Sequence, residues 1–351
     1  VQITIFGYAL DTKVEHIPLV VFDQDGRREA VKVVESLENT RSFRVVGREH
    51  DFESFREALT SGRAKAGVEI PADFSEKLLQ RQQATLGILV DGSDSQVATT
   101  AMNAAKQLGI AWSLRNSRGV AEAAQVTAAR DRGGEMVLPL EVRVRLLYNP
   151  DLLSEWFFVP GLVGVILQLV TLFLTSSAIV RERELGTLEL LFVTPVGRMG
   201  LMLGKLLPYS VIGLIETILV LNVMVFLFGV PIRGSLALLI GLAMIFLVCS
   251  LGLGLLISTL ARNQIQSMQM SFLVMLPSIL LSGFVFPRDN MPLLIQGISY
   301  GFPVTYFIEI LRGIILRGAG LWELRFWVIS LVVCACLIMS FSVFRFRKTL
   351  D

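Results

Sequence analysis

From Trp156 to Ile179 the chain runs 24 residues without a charged side chain. About 20 apolar residues in a helix cross the roughly 30 Å of a bilayer's hydrocarbon. In hydrocarbon every backbone N–H and C=O must be paired within the segment or a closed sheet, so such a run folds as a spanning helix. Four more apolar runs follow, Leu206–Gly229, Leu236–Leu260, Ile265–Phe286 and Phe326–Phe344, the first interrupted by Glu216 and Asn222. Overall 53% of residues are hydrophobic and the mean hydropathy is +0.63, above the roughly 45–50% apolar content of soluble domains. Residues 1–10 are apolar but too short to cross. We read them as the outer end of a first span that starts before Val1. The expected fold class is therefore an α-helical polytopic membrane protein of six spans, the first truncated here, with an inserted α/β domain at residues 11–150.

Residues 11–150 alternate strand-like and helix-like patterns. Ile17–Phe22, Phe43–Val46, Ala64–Ile70, Thr85–Val90 and Glu141–Tyr148 read as strands, the last by strict apolar/polar alternation. Arg27–Glu38, a segment capped by Asp51, Ala72–Gln82 and an Ala-rich stretch from Ser95 to about Arg132 read as helices. Strands alternating with helices predict a compact α/β domain, and about 140 residues suffice for its own core. Asp91-Gly92-Ser93-Asp94 reads as a strand-to-helix turn with Ser93 or Asp94 as the cap. The domain has no cysteine, and Cys249, Cys334 and Cys336 all lie in apolar runs, which excludes a disulfide framework in it. His16 and His50 stand alone, so no metal site is expected. A net charge of +2 carries no field for a nucleic-acid partner.

Between the first two long runs lies Arg181-Glu-Arg-Glu-Leu-Gly-Thr-Leu-Glu-Leu-Leu-Phe-Val-Thr-Pro195. These charges belong in water at a membrane face. Leu185, Leu188 and Phe192 share a face at helical spacing, Gly186 permits a bend, and Thr194-Pro195 stops a helix. The segment 181–195 reads as a short amphipathic docking helix. Lys and Arg flanking the spans number eight on this side (Arg181, Arg183, Arg198, Lys205, Arg262, Arg345, Arg347, Lys348) and five on the other (Arg233, Arg288, Arg312, Arg317, Arg325). The positive-inside rule makes this side cytoplasmic and residues 11–150 extracytoplasmic. Two apolar pieces, 293–303 and 304–316, are each too short to span, and we expect a re-entrant hairpin over 291–316.

Arg183-Glu184-x-Gly186-Thr187-x-Glu189-x-Leu191-x-x-Thr194-Pro195 resembles the signature of ABC-2 type exporter permeases, the type V exporter fold. Similar too are Gly204-Lys205-x-x-Pro208-Tyr209, Val230-Pro231-x-x-Gly234-Ser235, Ser282-Gly283-Phe284-x-Phe286-Pro287-x-x-Asn290-Met291-Pro292 and Tyr306-Phe307-x-Glu309-x-x-Arg312-Gly313. The resemblance runs over essentially the whole chain and is to the subgroup with a large extracytoplasmic domain between spans one and two. It implies that the segment is a coupling helix docking on a separate ATP-binding cassette ATPase, which binds ATP and Mg. It implies a permease dimer, of two copies or of paralogues, in a bacterial inner membrane. It implies that Pro287, Asn290, Pro292, Glu309 and Arg312 belong to an outer gate. The cargo would be hydrophobic or amphiphilic, with a periplasmic adaptor protein as a further partner.

The chain itself has no phosphate-binding loop. Its only Gly-Lys is Gly204-Lys205, and Met199 and Leu206 occupy positions where that loop needs Gly and Ser/Thr. It is expected to be no enzyme and to bind no cofactor. Glu216, with Asn222 one helical stretch further on, is a candidate for the translocation path, since an ionisable group inside a span is a functional hypothesis by default. The competing reading is a buried helix-interface contact near Tyr209 or Asn222. Two other functions stay open on sequence: a stand-alone ion-coupled carrier using Glu216, and a membrane-anchored ligand sensor.

Overall fold

A computed structural model describes residues 14–80, 82–121, 129–130, 136–137, 139–186, 198–285, 288 and 291–345. The apolar residues 1–10 lie outside them. The chain divides into two compact units, Lys13–Ser154 and the part from Glu155 onward.

The first unit is built on the strands β1 (Ile17–Asp23), β2 (Phe43–Glu49), β3 (Ala66–Ile70), β4 (Ala84–Asp91) and β7 (Leu140–Leu147). They form one five-stranded sheet in the order β2-β1-β3-β4-β7. β1 pairs in parallel with β2 and β3, β4 is antiparallel to β3, and β7 runs parallel to β4. β1 is apolar almost throughout because both its faces are covered. Ile17, Leu19 and Val21 join a core with helices α1 (Arg28–Asn39), α3 (Phe74–Leu79) and α4 (Ser95–Ala121). Val20 and Phe22 meet Phe55, Ala58 and Leu59 of α2 (Phe52–Thr60) on the other face.

The Ala-rich helix does not run to Arg132. Ala129–Arg130 is instead a strand, β5, paired antiparallel with β6, Met136–Val137. The residues joining these strands include Gly133-Gly134, a hairpin signal strong enough to compete with helix propensity. At the Asp91–Asp94 turn, Asp94 is the cap: its Oδ1 accepts from the amides of Gln96 (3.1 Å) and Val97 (3.2 Å). Asp91 Oδ1 accepts from the Ser93 amide at 2.9 Å.

The second unit holds α5 (Ser154–Glu184), α6 (Arg198–Phe226), α7 (Leu236–Leu260), α8 (Gln264–Leu281), α9 (Leu293–Ser299), α10 (Pro303–Arg312) and α11 (Arg325–Arg345). Among the described residues five helices are long and apolar enough to cross a membrane. The total is six if α9 and the α10 rod, bent 86° from each other, make one span. α5 and α7 are its most buried long helices and α6 and α11 its peripheral ones. Gly254 lets α7 approach α5: a Cβ there would lie 2.8 Å from Thr175 Cβ and 3.0 Å from the Leu172 carbonyl. Buried hydroxyls and an amide tie α5 to α7 through Thr171–Ser250 (2.7 Å) and to α8 through Ser176–Ser271 (2.9 Å) and Gln168–Ser278 (3.3 Å).

Helix α8 stops at Leu281 rather than reaching Phe286, because a Ser282–Gly283 turn follows, with Gly283 at φ +85°. Past Arg312, α10 continues as one π-helical turn, Gly313–Arg317, and ends at Gly318.

Candidate functional site: the two ends of the membrane unit

The last turn of α5 carries Glu182, Arg183 and Glu184, and each engages a different helix. Glu182 pairs with Lys205 of α6. Arg183 Nη1 donates to the carbonyl of Ala261, the C-cap of α7, at 2.9 Å. Glu184 accepts from the Gln264 amide at 2.9 Å and from the Gln264 side chain at 2.5 Å, at the first residue of α8. The signs follow the helix dipoles, a cation at the carbonyl end of α7 and an anion at the amide end of α8. Arg183 and Glu184 thus hold both sides of the short Ala261–Asn263 link between α7 and α8. Gly186 then turns the chain at φ +72°, a conformation in which a Cβ is strained. Leu185 beside it is 65% exposed. Of the other docking-segment residues, Thr187, Glu189, Leu191, Thr194 and Pro195 lie outside the described residues.

Glu216 and Asn222 both lie on α6. They do not meet: Asn222 Nδ2 donates to the Ile218 carbonyl at 2.7 Å, within its own helix. Glu216 is half-buried, and its Oε2 has no hydrogen-bond partner. The competing reading of a helix-interface contact finds no hydrogen bond to Oε2, and Asn222 is engaged locally instead.

At the opposite end of α5, Arg312 of α10 donates to the carbonyls of Gly283 (3.1 Å) and Phe284 (3.4 Å), just past the end of α8. Its guanidinium stacks 4.1 Å from the Phe157 ring near the start of α5. Glu309, one turn earlier, lies 3.6 Å from Arg317 and 3.9 Å from Arg288. Pro292 is the N-cap of α9, while Pro287 and Asn290 lie outside the described residues. Phe307 of α10 stacks on Phe246 of α7, ring centroids 4.1 Å apart. The broken pair is thus fixed to α5, α7 and α8 by charge and ring contacts together. Sequence reasoning missed Arg288 and Arg317, whose only signal is that each is a charge beside an apolar piece.

Among the described residues no cluster of His, Cys, Asp and Glu stands close enough to hold a metal. Many apolar helices, a polar clasp at one end and a broken helix pair at the other define a multi-pass membrane protein. The chain belongs to the ABC-2 family of transporter proteins, whose model matches residues 2–344. It is similar to the probable multidrug ABC transporter permease YbhS of Escherichia coli, 34% identical over 296 residues, 84% of this chain and 75% of that one. It is 30% identical over 353 residues, 100% of this chain and 92% of the relative, to the probable multidrug ABC transporter permease YbhR of the same species. ABC transporter G family member 20 of Dictyostelium discoideum is 25% identical over 96% of this chain and 45% of its own length.

Proposed function

We propose that the chain is the permease subunit of an ATP-binding cassette exporter in a bacterial inner membrane. It moves a hydrophobic or amphiphilic molecule outward and is driven by a separate ATPase subunit that holds ATP and Mg. Two permeases pair to enclose the path, and the unit Lys13–Ser154 faces outward, where a periplasmic adaptor protein can meet it. The names of the relatives YbhS and YbhR support the substrate class, and the Lys/Arg balance supports the orientation.

The observation that carries the reading is the clasp at the end of α5. Arg183 and Glu184 couple the motor to the spans: their side chains are engaged within the membrane unit while both residues stay exposed. The docking surface continues from them through Gly186, Thr187, Glu189 and Leu191 to Thr194-Pro195, with Leu185 open beside it. When that segment is pushed, the clasp carries the movement to α6, to the C-terminus of α7 and to the N-terminus of α8. The broken pair, with Pro287, Asn290, Pro292, Glu309 and Arg312, closes the path at the other end as a re-entrant gate. Glu216 and Asn222 on α6 contribute to the path.

The test is co-purification of the chain with its ATP-binding partner, followed by ATP-dependent export in vesicles. Glu184→Arg places a cation at the N-terminus of α8 and should abolish export while the chain still inserts. Retained ATP-dependent export, or no associated ATP-binding protein, contradicts the reading. The unengaged Oε2 of Glu216 favours a second reading, a carrier that uses this carboxylate as its ion site. Proton-driven export without ATP that is lost in Glu216→Gln would support it.

A further inference from the structure

At the end of the membrane unit away from the clasp, two arginines stand beside Glu309. Arg288 and Arg317 lie 3.9 Å and 3.6 Å from Glu309, while Arg312, one helical turn further on, is engaged with Phe157 and the Gly283 carbonyl. Burying charge is costly unless an opposite charge and hydrogen bonds compensate it.

Arg288 is weakly compensated. Its side chain is only 10% exposed, yet its nearest approach to Glu309 is 3.9 Å, beyond hydrogen-bond range. Its Nη1 is buried and has no hydrogen-bond partner. Two rings frame the guanidinium: Trp327 of α11, 4.7 Å from its carbon, and Tyr300 at the end of α9, 5.5 Å away. Rings hold a guanidinium in place through their faces but accept no strong hydrogen bond. The planar fork is therefore oriented, with Nη1 left unpartnered.

The surroundings fit an amphiphile. Tyr300 is itself exposed, and on α9, which Tyr300 caps, Leu293, Leu294 and Ile298 are 85%, 84% and 58% exposed. A ligand with an anionic head and an apolar tail would satisfy both features at once. A guanidinium fork suits the two oxygens of a carboxylate or phosphate.

We propose that Arg288, boxed by Tyr300 and Trp327 and backed by Glu309 and Arg317, binds the anionic head group of an amphiphile whose tail lies on Leu293, Leu294 and Ile298. The head group comes from a phospholipid of the surrounding bilayer or from a single-chain molecule arriving as cargo. The site stands independently of the transport reading, because binding can be measured without ATP or a partner.

Native mass spectrometry of the full chain released from detergent tests it. Phosphatidylglycerol is titrated against phosphatidylcholine of matched chains, and oleate against oleyl alcohol. The anionic member of at least one pair should bind saturably and about tenfold or more tighter than its neutral counterpart, the size of one charge-assisted hydrogen bond. Selectivity in the first pair alone marks a lipid site and in the second a single-chain site. Arg288→Gln should remove the selectivity, Arg288→Lys should keep part of it, and Arg325→Gln, on an exposed arginine over Trp322, should leave it intact. If Arg288→Gln does not yield folded protein, the selectivity of the unmodified chain decides. Equal affinity for charged and neutral heads, or full selectivity in folded Arg288→Gln, overturns the proposal.

Discussion

Asp51 and Asp94 start two helices of the first unit in the same way, each with a carboxylate accepting amides of the first turn. Asp51 is held below the usual carboxylate range by its bonds from the Ser54 amide and hydroxyl. A carboxyl group with a depressed folded pKa stabilises the fold above its unfolded pKa and loses that contribution as pH falls through the folded value. Hydrogen exchange over Phe52–Thr60 should therefore lose protection below about pH 4. Asp51→Asn, which caps without titrating, should remove that acid-side loss. For Asp94→Ala we expect a cost of about 1 kcal/mol, read as faster exchange at Gln96 and Val97. On the far face of the sheet, Phe55 is fully buried against Val20 and Phe22. Phe55→Ala should cost about 3–5 kcal/mol, read as a lower unfolding midpoint for residues 13–154. An unchanged midpoint would contradict the packing described.

At the scale of elements, the clasp makes α5 a rod with a handle. Its 31 residues span roughly 46 Å at 1.5 Å per residue, with Phe157 under Arg312 at one end and Arg183 on Ala261 at the other. Arg183→Ala leaves the end of α7 uncapped on one side, and Glu184→Ala does the same at the start of α8. If both serve one link, their effects on export should be non-additive, the double variant being little worse than either single one. Additive losses would mean two independent contacts. Gly254→Val should drive α5 and α7 apart, since even a Cβ meets Thr175 and Leu172. We expect lower yield of folded chain and a thermal midpoint lowered by several degrees.

How far these elements could be read in advance depended on whether the controlling contacts were local. Helix α7 runs over Leu236–Leu260 as its apolar run predicts, because Ser235 caps it and Ala261 ends it within the same stretch. The Asp51 and Asp94 caps were legible for the same reason. The end of α8 was not: apolarity continues to Phe286, but the turn at Ser282–Gly283 breaks the helix first. The partners of Arg183 and Glu184 lie about 80 positions away in sequence, and no periodicity reveals such a contact. Arg288 reaches Glu309 across 21 positions of sequence, a contact that no local pattern reveals.

At the scale of the molecule, a folded α/β unit and a helical membrane unit share one chain. In the proposed mechanism the membrane unit is worked from one end, by a motor acting on the segment after Gly186, and gated at the other, by the broken pair around Glu309 and Arg312. The most direct test compares two forms of the chain, unmodified and with Thr187–Pro195 replaced by a flexible linker of equal length. Each is co-expressed with its ATP-binding partner, and ATP-dependent export is assayed in inverted vesicles. We expect the partner to co-purify with the unmodified chain and support export, and the replaced chain to insert normally but neither retain the partner nor export. Full ATP-dependent export by the replaced chain, or an unmodified chain that exports with no ATP-binding protein present, would contradict the mechanism.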